Sequence, residues 1–166
     1  MDKLDFPGVV LTRTAEVLIL YSQQPLTVLS SAVVGGGVVR VRYLLNRHVH
    51  RDYNCLDPVA DLVGFARSQG INEAFVGQMT AVSLQQARAV TLRAETLTVA
   101  AVVTAGVNNA TTPGLTAPVT PGPGTINMIL LIDARLPPAA MVHAVITATE
   151  VKTQVLMAHG VRPPEG

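Results

Sequence analysis

Aromatic residues are scarce in this chain of 166 residues, which has three Phe, three Tyr and no Trp. Hydrophobic residues nevertheless make up 49% of the sequence. A core therefore has to be built from Ala, Val, Leu and Ile, which excludes an aromatic-rich interior. A chain of this length is sufficient for one domain with a single core. We predict one aliphatic domain over residues 1–166.

Cysteine and an excess of charge are also nearly absent. Cys55 is the only cysteine, which excludes an internal disulfide and is usual in the reducing cytoplasm. Twelve Lys and Arg against eleven Asp and Glu leave a net charge of +1, so no broad positive field attracts nucleic acid. The most apolar stretch, residues 96–107, is too short to span a bilayer, and no signal core follows Met1. We expect a cytoplasmic protein without a nucleic-acid or membrane partner. The sequence leaves open whether the chain forms a homo-oligomer.

Strand-forming residues dominate the first third of the chain. Residues 9–49 are rich in β-branched side chains and lack helical periodicity, which predicts an antiparallel meander. Within it we predict strands over 16–21 and 26–31 with a turn at 23–25, and a third strand after the glycines at 35–37. Further strands are predicted near residues 74–82, 89–93, 97–107 and 125–133.

Two segments have the pattern of helices. Asp57 followed by Pro58 is a helix start, and apolar residues then recur at helical spacing, which predicts a helix over about 57–69. A longer helix is predicted over about 137–159. Residues 111–124 contain four prolines and three glycines and are predicted to form a loop, and residues 160–166 a tail. The fold class is therefore α+β: a single domain, mostly antiparallel sheet, with two main helices packed on it.

A few polar residues interrupt these apolar patterns. Lys152 falls in the middle of the apolar face of the second predicted helix, whereas Glu150 lies on its polar face. In the last predicted strand, Thr125 and Asn127 share one face with Asp133. These residues either tie down the neighbouring loop and turn or line a cleft, and the sequence pattern leaves both interpretations open.

Blocks along the chain resemble the adenosylcobinamide amidohydrolase (CbiZ-type) family, in the same order and from about Ser30 to Thr153. They are Ser30-Ser31-Ala32, Thr104-Ala105-Gly106-Val107, Gly124-Thr125-Ile126-Asn127 and Ile146-Thr147-Ala148-Thr149-Glu150. The resemblance implies hydrolysis of the amide between cobyric acid and aminopropanol, which yields adenosylcobyric acid in corrinoid salvage. The corrinoid is then a small-molecule substrate, and no cofactor is expected. The alternative is a non-catalytic corrinoid-binding module of the same fold.

Amide hydrolysis needs an attacking group, an acid or base, and donors for the oxyanion. His48 and His50 are both candidate bases; they occupy alternate positions of a predicted strand and so share a face, where they can also simply be solvated. His50 is preferred, since an imidazole is the natural general base and the stretch from Asn46 to Tyr53 also resembles the family. The catalytic candidates are His50, Ser30, Ser31, Thr104, Glu150 and Lys152. The substrate-binding candidates are Gly36, Gly37, Asn46, Thr80, Gly106, Asn109, Thr125 and Asn127. No metal site is predicted, because the two histidines supply two ligands and spacing fixes no third.

Overall fold

The computed structural model describes residues 4–107 and 125–162. The chain divides into two compact units, one formed by Met1–Gly106 with Gly122–Asp133 and the other by Val107–Pro121 with Ala134–Gly166. Among the described residues, every strand and the first helix lie in the first unit, and the second helix lies in the second. The predicted loop at 111–124 and residues 163–166 of the predicted tail lie outside the described residues.

The first sheet has four strands in the order β1-β2-β3-β4. Their bounds are β1 Val9–Arg13, β2 Val17–Ser30, β3 Gly37–His48 and β4 Phe75–Thr80. The first three strands pair antiparallel, which confirms the predicted meander. β4 pairs parallel with β3, because helix α1, Pro58–Ser68, carries the chain back between them.

The turn predicted at residues 23–25 is wrong. β2 continues from Val17 to Ser30, and its register with β3 shifts between Tyr21 and Leu26. Extra residues in one strand are accommodated as a bulge, which bends the strand without ending it. Pro25 is compatible with such a bulge because its missing N–H is not required for the ladder there.

The second sheet is an antiparallel meander in the order β5-β6-β7. Its strands are β5 Arg88–Ala94, β6 Leu97–Ala105 and β7 Ile126–Ile132, and a short 3-10 turn, Leu84–Gln86, precedes β5. The α+β class with mostly antiparallel strands is confirmed. The strands are divided between two sheets, however, where we predicted one.

A shared aliphatic core joins the two sheets. Leu18, Leu44 and Val76 of the first sheet cluster with Ala100 and Val102 of the second. The opposite face of the first sheet packs against α1 through a second cluster. That cluster contains Val17, Leu45, Leu62, Ala66, Ile71 and Phe75. The first sheet is therefore covered on both faces.

Helix α1 begins as its sequence predicts. The Asp57 carboxylate accepts a hydrogen bond from the Ala60 N–H at 2.9 Å, and Pro58 occupies the first turn. An N-cap of this kind stabilises a helix by about 1 kcal/mol because it satisfies an N–H that has no partner within the helix. The predicted helix at 57–69 is confirmed.

Helix α2, Pro138–Ala158, agrees with the helix predicted over 137–159. None of its residues is buried, although Met141, Ala148 and Leu156 of the predicted apolar face are partly shielded. Lys152 lies on that face and is also only partly shielded, so its ammonium can remain in water. Neither helix in the described part of the chain is long and apolar enough to cross a membrane.

Candidate active site at the strand ends

Three polar side chains link the two sheets at one end of their shared core. Asn46 is on β3, Thr104 on β6 and Asn127 on β7, and the first two are buried. Asn46 Nδ2 donates to Thr104 Oγ1 at 3.0 Å, and Asn127 Nδ2 donates to Asn46 Oδ1 at 2.9 Å. Register places Thr104 directly opposite Asn127 on their own sheet. We name these three residues the polar bridge.

The polar bridge also holds the last strand of the first sheet. Asn127 Nδ2 donates to the backbone carbonyl of Met79 on β4 at 2.8 Å, and Thr125 Oγ1 donates to the same carbonyl at 3.4 Å. β4 is an edge strand of its sheet. The Met79 carbonyl therefore accepts hydrogen bonds from a side chain of β7 and from the residue just before β7. A buried polar group left without a partner costs about 1–3 kcal/mol, so the bridge stabilises the contact between the sheets only while all its members are present.

Two further predicted residues adjoin the bridge. Thr80, fully buried at the end of β4, accepts a hydrogen bond from the Val82 N–H at 3.1 Å. Gly106 donates its N–H to the Thr125 carbonyl at 3.1 Å, and a Cβ on Gly106 would lie 3.0 Å from Val82 Cγ2. The structure thus brings together Asn46, Thr80, Thr104, Gly106, Thr125 and Asn127 of the predicted site.

The hydroxyl groups of this region are already engaged. Thr104 is 1% exposed and accepts from Asn46, and Thr80 is 0% exposed and accepts from Val82. A nucleophile has to reach the carbonyl carbon of its substrate. In this conformation neither oxygen lies at the surface, and both hold neighbouring elements in place.

His48, the last residue of β3, lies beside the polar bridge. Asn46 and His48 are two residues apart and therefore project to the same face of the strand, and register pairs His48 with Thr80. The side chain is partly buried, and its Nδ1 lies 3.2 Å from the carbonyl oxygen of Val82. Period-two spacing from Asn46 was the sequence signal for this position.

The sequence analysis expected His48 and His50 to share one face of a strand. The structure does not place His50 on that face. β3 ends at His48, so His50 lies in the connection that follows. Its side chain is 75% exposed, and its Nδ1 accepts from the Asp52 N–H at 3.2 Å. The preferred base of the sequence analysis is therefore a solvated side chain outside the group around the bridge.

Gln78, which the sequence analysis did not single out, adjoins the same region. Register pairs it with Asn46, and it shares a face of β4 with Thr80. Its Oε1 is the one buried side-chain oxygen or nitrogen in residues 4–107 and 125–162 that has no hydrogen-bond partner. The sequence signal for Gln78 is its polar side chain two residues before Thr80, on the same face of the strand. Such an acceptor is a place where a water or a ligand N–H can bind.

Four predicted residues lie at the opposite end of the first sheet. Ser30 pairs with Gly37, whereas Asn46 pairs with Leu18, nine residues further along β3. Ser30 Oγ accepts from the Ala32 N–H at 2.9 Å, which is a local turn contact. The residues at this end are Ser30, Ser31, Gly36 and Gly37. Glu150 and Lys152 lie on α2 in the second unit, and Asn109 lies outside the described residues.

A separate polar group connects α1 to the other face of β3. Arg47 Nη1 lies 2.8 Å from Asp61 Oδ2, the Tyr53 hydroxyl donates to the same oxygen at 2.7 Å, and the Arg47 guanidinium stacks over Phe65. Burial, followed by the hydrogen bond to Asp61, raises the pKa of the Tyr53 phenol. These contacts anchor the helix. Within the described ranges, no three His, Cys, Asp or Glu residues are grouped as metal ligands would be.

Comparison with known proteins identifies the family of this α+β protein. The sequence model of the adenosylcobinamide amidohydrolase family matches residues 7–165. A Methanosarcina mazei protein named adenosylcobinamide amidohydrolase is 36% identical over 130 residues, which cover 78% of this chain and 60% of that relative. No solved structure matches the chain. The chain belongs to the adenosylcobinamide amidohydrolase family, which confirms the resemblance, and the match spans about 60% of its curated relative.

Proposed function

We propose that this chain hydrolyses the amide that joins aminopropanol to the corrin ring of adenosylcobinamide, with adenosylcobyric acid and aminopropanol as products. The family match over residues 7–165 carries the proposal, because it includes every member of the polar bridge and the residues around it. In the proposal the corrinoid is the substrate and is consumed in the reaction.

The position of the polar bridge supports this function. β3 and β4 are the parallel pair, and their carboxyl ends lie beside the bridge. In open α/β sheets, ligands bind outside the carboxyl ends of the parallel strands, and β3 and β4 form one such pair of ends here. Side chains fixed by several hydrogen bonds keep such an end in one geometry, which catalysis requires.

The direct test is to incubate the purified chain with adenosylcobinamide and to separate the corrinoids by liquid chromatography. We expect adenosylcobyric acid and free aminopropanol to appear in equal amounts. The chain heated until it unfolds is the control. Equilibrium dialysis against the coloured corrinoid measures binding in parallel.

The outcomes separate the proposal from its alternative. Corrinoid that is bound and recovered uncut supports the non-catalytic corrinoid-binding module. A chain that neither binds nor cuts the corrinoid contradicts both. Equal amounts of the two products support hydrolysis of the amide bond itself, whereas loss of the corrinoid without aminopropanol would indicate a different reaction.

A further inference from the structure

We infer that His48 is the general base of this site and that its Nε2 removes a proton from the water that attacks the amide. The inference rests on the proposed function and assigns its chemistry to one atom. It differs from the sequence-based preference for His50, because the structure places only His48 beside the polar bridge.

The hydrogen bond to Val82 determines which nitrogen of His48 is basic. The Val82 carbonyl oxygen can only accept a hydrogen bond, so the Nδ1 atom 3.2 Å away carries the proton. In the neutral ring the lone pair is then on Nε2. A backbone carbonyl that fixes the tautomer in this way also fixes the orientation of the ring, as required of a general base.

The Nε2 atom of His48 is not tied to another group. It has no hydrogen-bond partner among the described residues, and the one fully buried side-chain polar atom there without a partner is Gln78 Oε1. Nε2 therefore keeps some contact with solvent, although the ring as a whole is partly buried. A water bound there would be the group it acts on.

The engaged threonines favour water as the attacking group. Thr80 and Thr104 are fully buried and already accept hydrogen bonds. Their hydroxyl groups are therefore not available for His48 to activate as nucleophiles. In the step we infer, Nε2 takes a proton from water while the water oxygen bonds to the amide carbon. The C–N bond of the resulting intermediate then breaks, and Nε2 returns the proton to the leaving nitrogen of aminopropanol. One water is consumed, and the carboxylic acid and the amine are formed.

Two substitutions at His48 test the inference. His48→Gln retains a side-chain N–H that can donate to the Val82 carbonyl but removes the basic nitrogen. General acid–base catalysis contributes about 10²–10⁴-fold, so we expect kcat for adenosylcobinamide to fall at least about 100-fold, with KM within about threefold. His48→Ala leaves space, and added imidazole should restore part of its activity. A group with a purely structural role would not show this rescue.

His50→Gln is the matched control. It is the same substitution two residues away at an exposed side chain, and we expect kcat to stay within about twofold of the unsubstituted chain. Thermal melting of each variant establishes that it is folded. Full activity of folded His48→Gln overturns the inference, and so does loss of activity in His48→Ala that imidazole does not restore. If the unsubstituted chain itself does not cut adenosylcobinamide, the proposed function fails and the base fails with it.

Discussion

The two ends of strand β3 differ in what keeps them in place. At the His48 end, side chains from both sheets bond to one another through the polar bridge. At the Gly37 end, β3 pairs with Ser30 of β2 through backbone. The loop before Gly37 also bonds to β4 through backbone: Val34 and Gly77 exchange N–H and carbonyl bonds of 3.2 and 2.9 Å, at the position where Gly77 pairs with Leu45. Both ends carry residues that the family resemblance singled out. A match to family blocks thus combines residues that shape a turn with residues that form the polar bridge.

The close approach of β4 to the loop before β3 explains why a glycine is required at this end. Gly35 has a φ of +75°, and a Cβ there would lie 2.6 Å from the Phe75 carbonyl oxygen. Only glycine adopts this conformation without strain and leaves that space free. The glycine end therefore determines how β4 approaches the loop before β3, and the polar end holds the groups suited to chemistry. The predictions below test this division.

The largest effect is expected for Gly35→Ala. The positive φ and the clash with a backbone oxygen should together lower the free energy of unfolding by about 4 kcal/mol. Gly37→Ala is the matched control, because Gly37 also has a positive φ, +86°, but has open space around it, and should lose about 1 kcal/mol. Urea denaturation measures both. Equal losses would show that the approach to Phe75 does not limit this end.

The polar bridge should be next in cost. Asn46→Ala leaves the Thr104 hydroxyl and the Asn127 amide without their buried partner, and we expect a loss of about 3 kcal/mol in the free energy of unfolding. Ser31→Ala, at an exposed position of the opposite end, should change it by less than about 0.5 kcal/mol. If the two variants are equally stable, the bridge does not stabilise the contact between the sheets.

Gln78→Met should have a smaller effect of opposite sign. It removes the buried oxygen that has no partner and keeps a side chain of similar size, so the free energy of unfolding should rise by up to about 1 kcal/mol. Denaturation in urea without corrinoid provides the measurement. A loss of stability instead would mean that the oxygen is hydrogen-bonded in solution, for example by a bound water.

The smallest effect concerns pH and the Tyr53 group on the other face of β3. Because burial and Asp61 raise the pKa of this phenol above its ordinary value of 10.0, the folded protein keeps a proton that the unfolded chain loses. The stability that the protonated Tyr53 phenol contributes is fully present below pH 10, and it is lost as the pH rises beyond that value. Tyr53→Phe should therefore lose less stability than the unsubstituted chain above pH 10. Denaturation at pH 8 and pH 11 measures the difference, and equal losses would contradict the predicted role.

Local patterns predicted the elements better than their ends. The cap Asp57 and the apolar spacing after it located α1. The turn predicted at 23–25 failed because pairing with β3 keeps β2 extended through a bulge, and the sequence of β2 alone does not contain that information. The expectation that His50 lies on the same strand face as His48 was wrong for a similar reason. Where β3 ends depends on its partners, such as the bond from the His48 N–H to the Glu16 carbonyl.

The amino-acid sequence by itself determined the aliphatic core, the α+β class, the two helices and the family, because each is encoded in composition, in short-range periodicity or in ordered blocks. The tertiary structure decided which polar residues meet. Asn46 is 58 residues from Thr104 and 81 from Asn127 along the chain, and only the packing of two sheets brings their side chains within hydrogen-bond distance. It also separated His48 from His50, because strand pairing, which is non-local, sets the face on which each side chain lies.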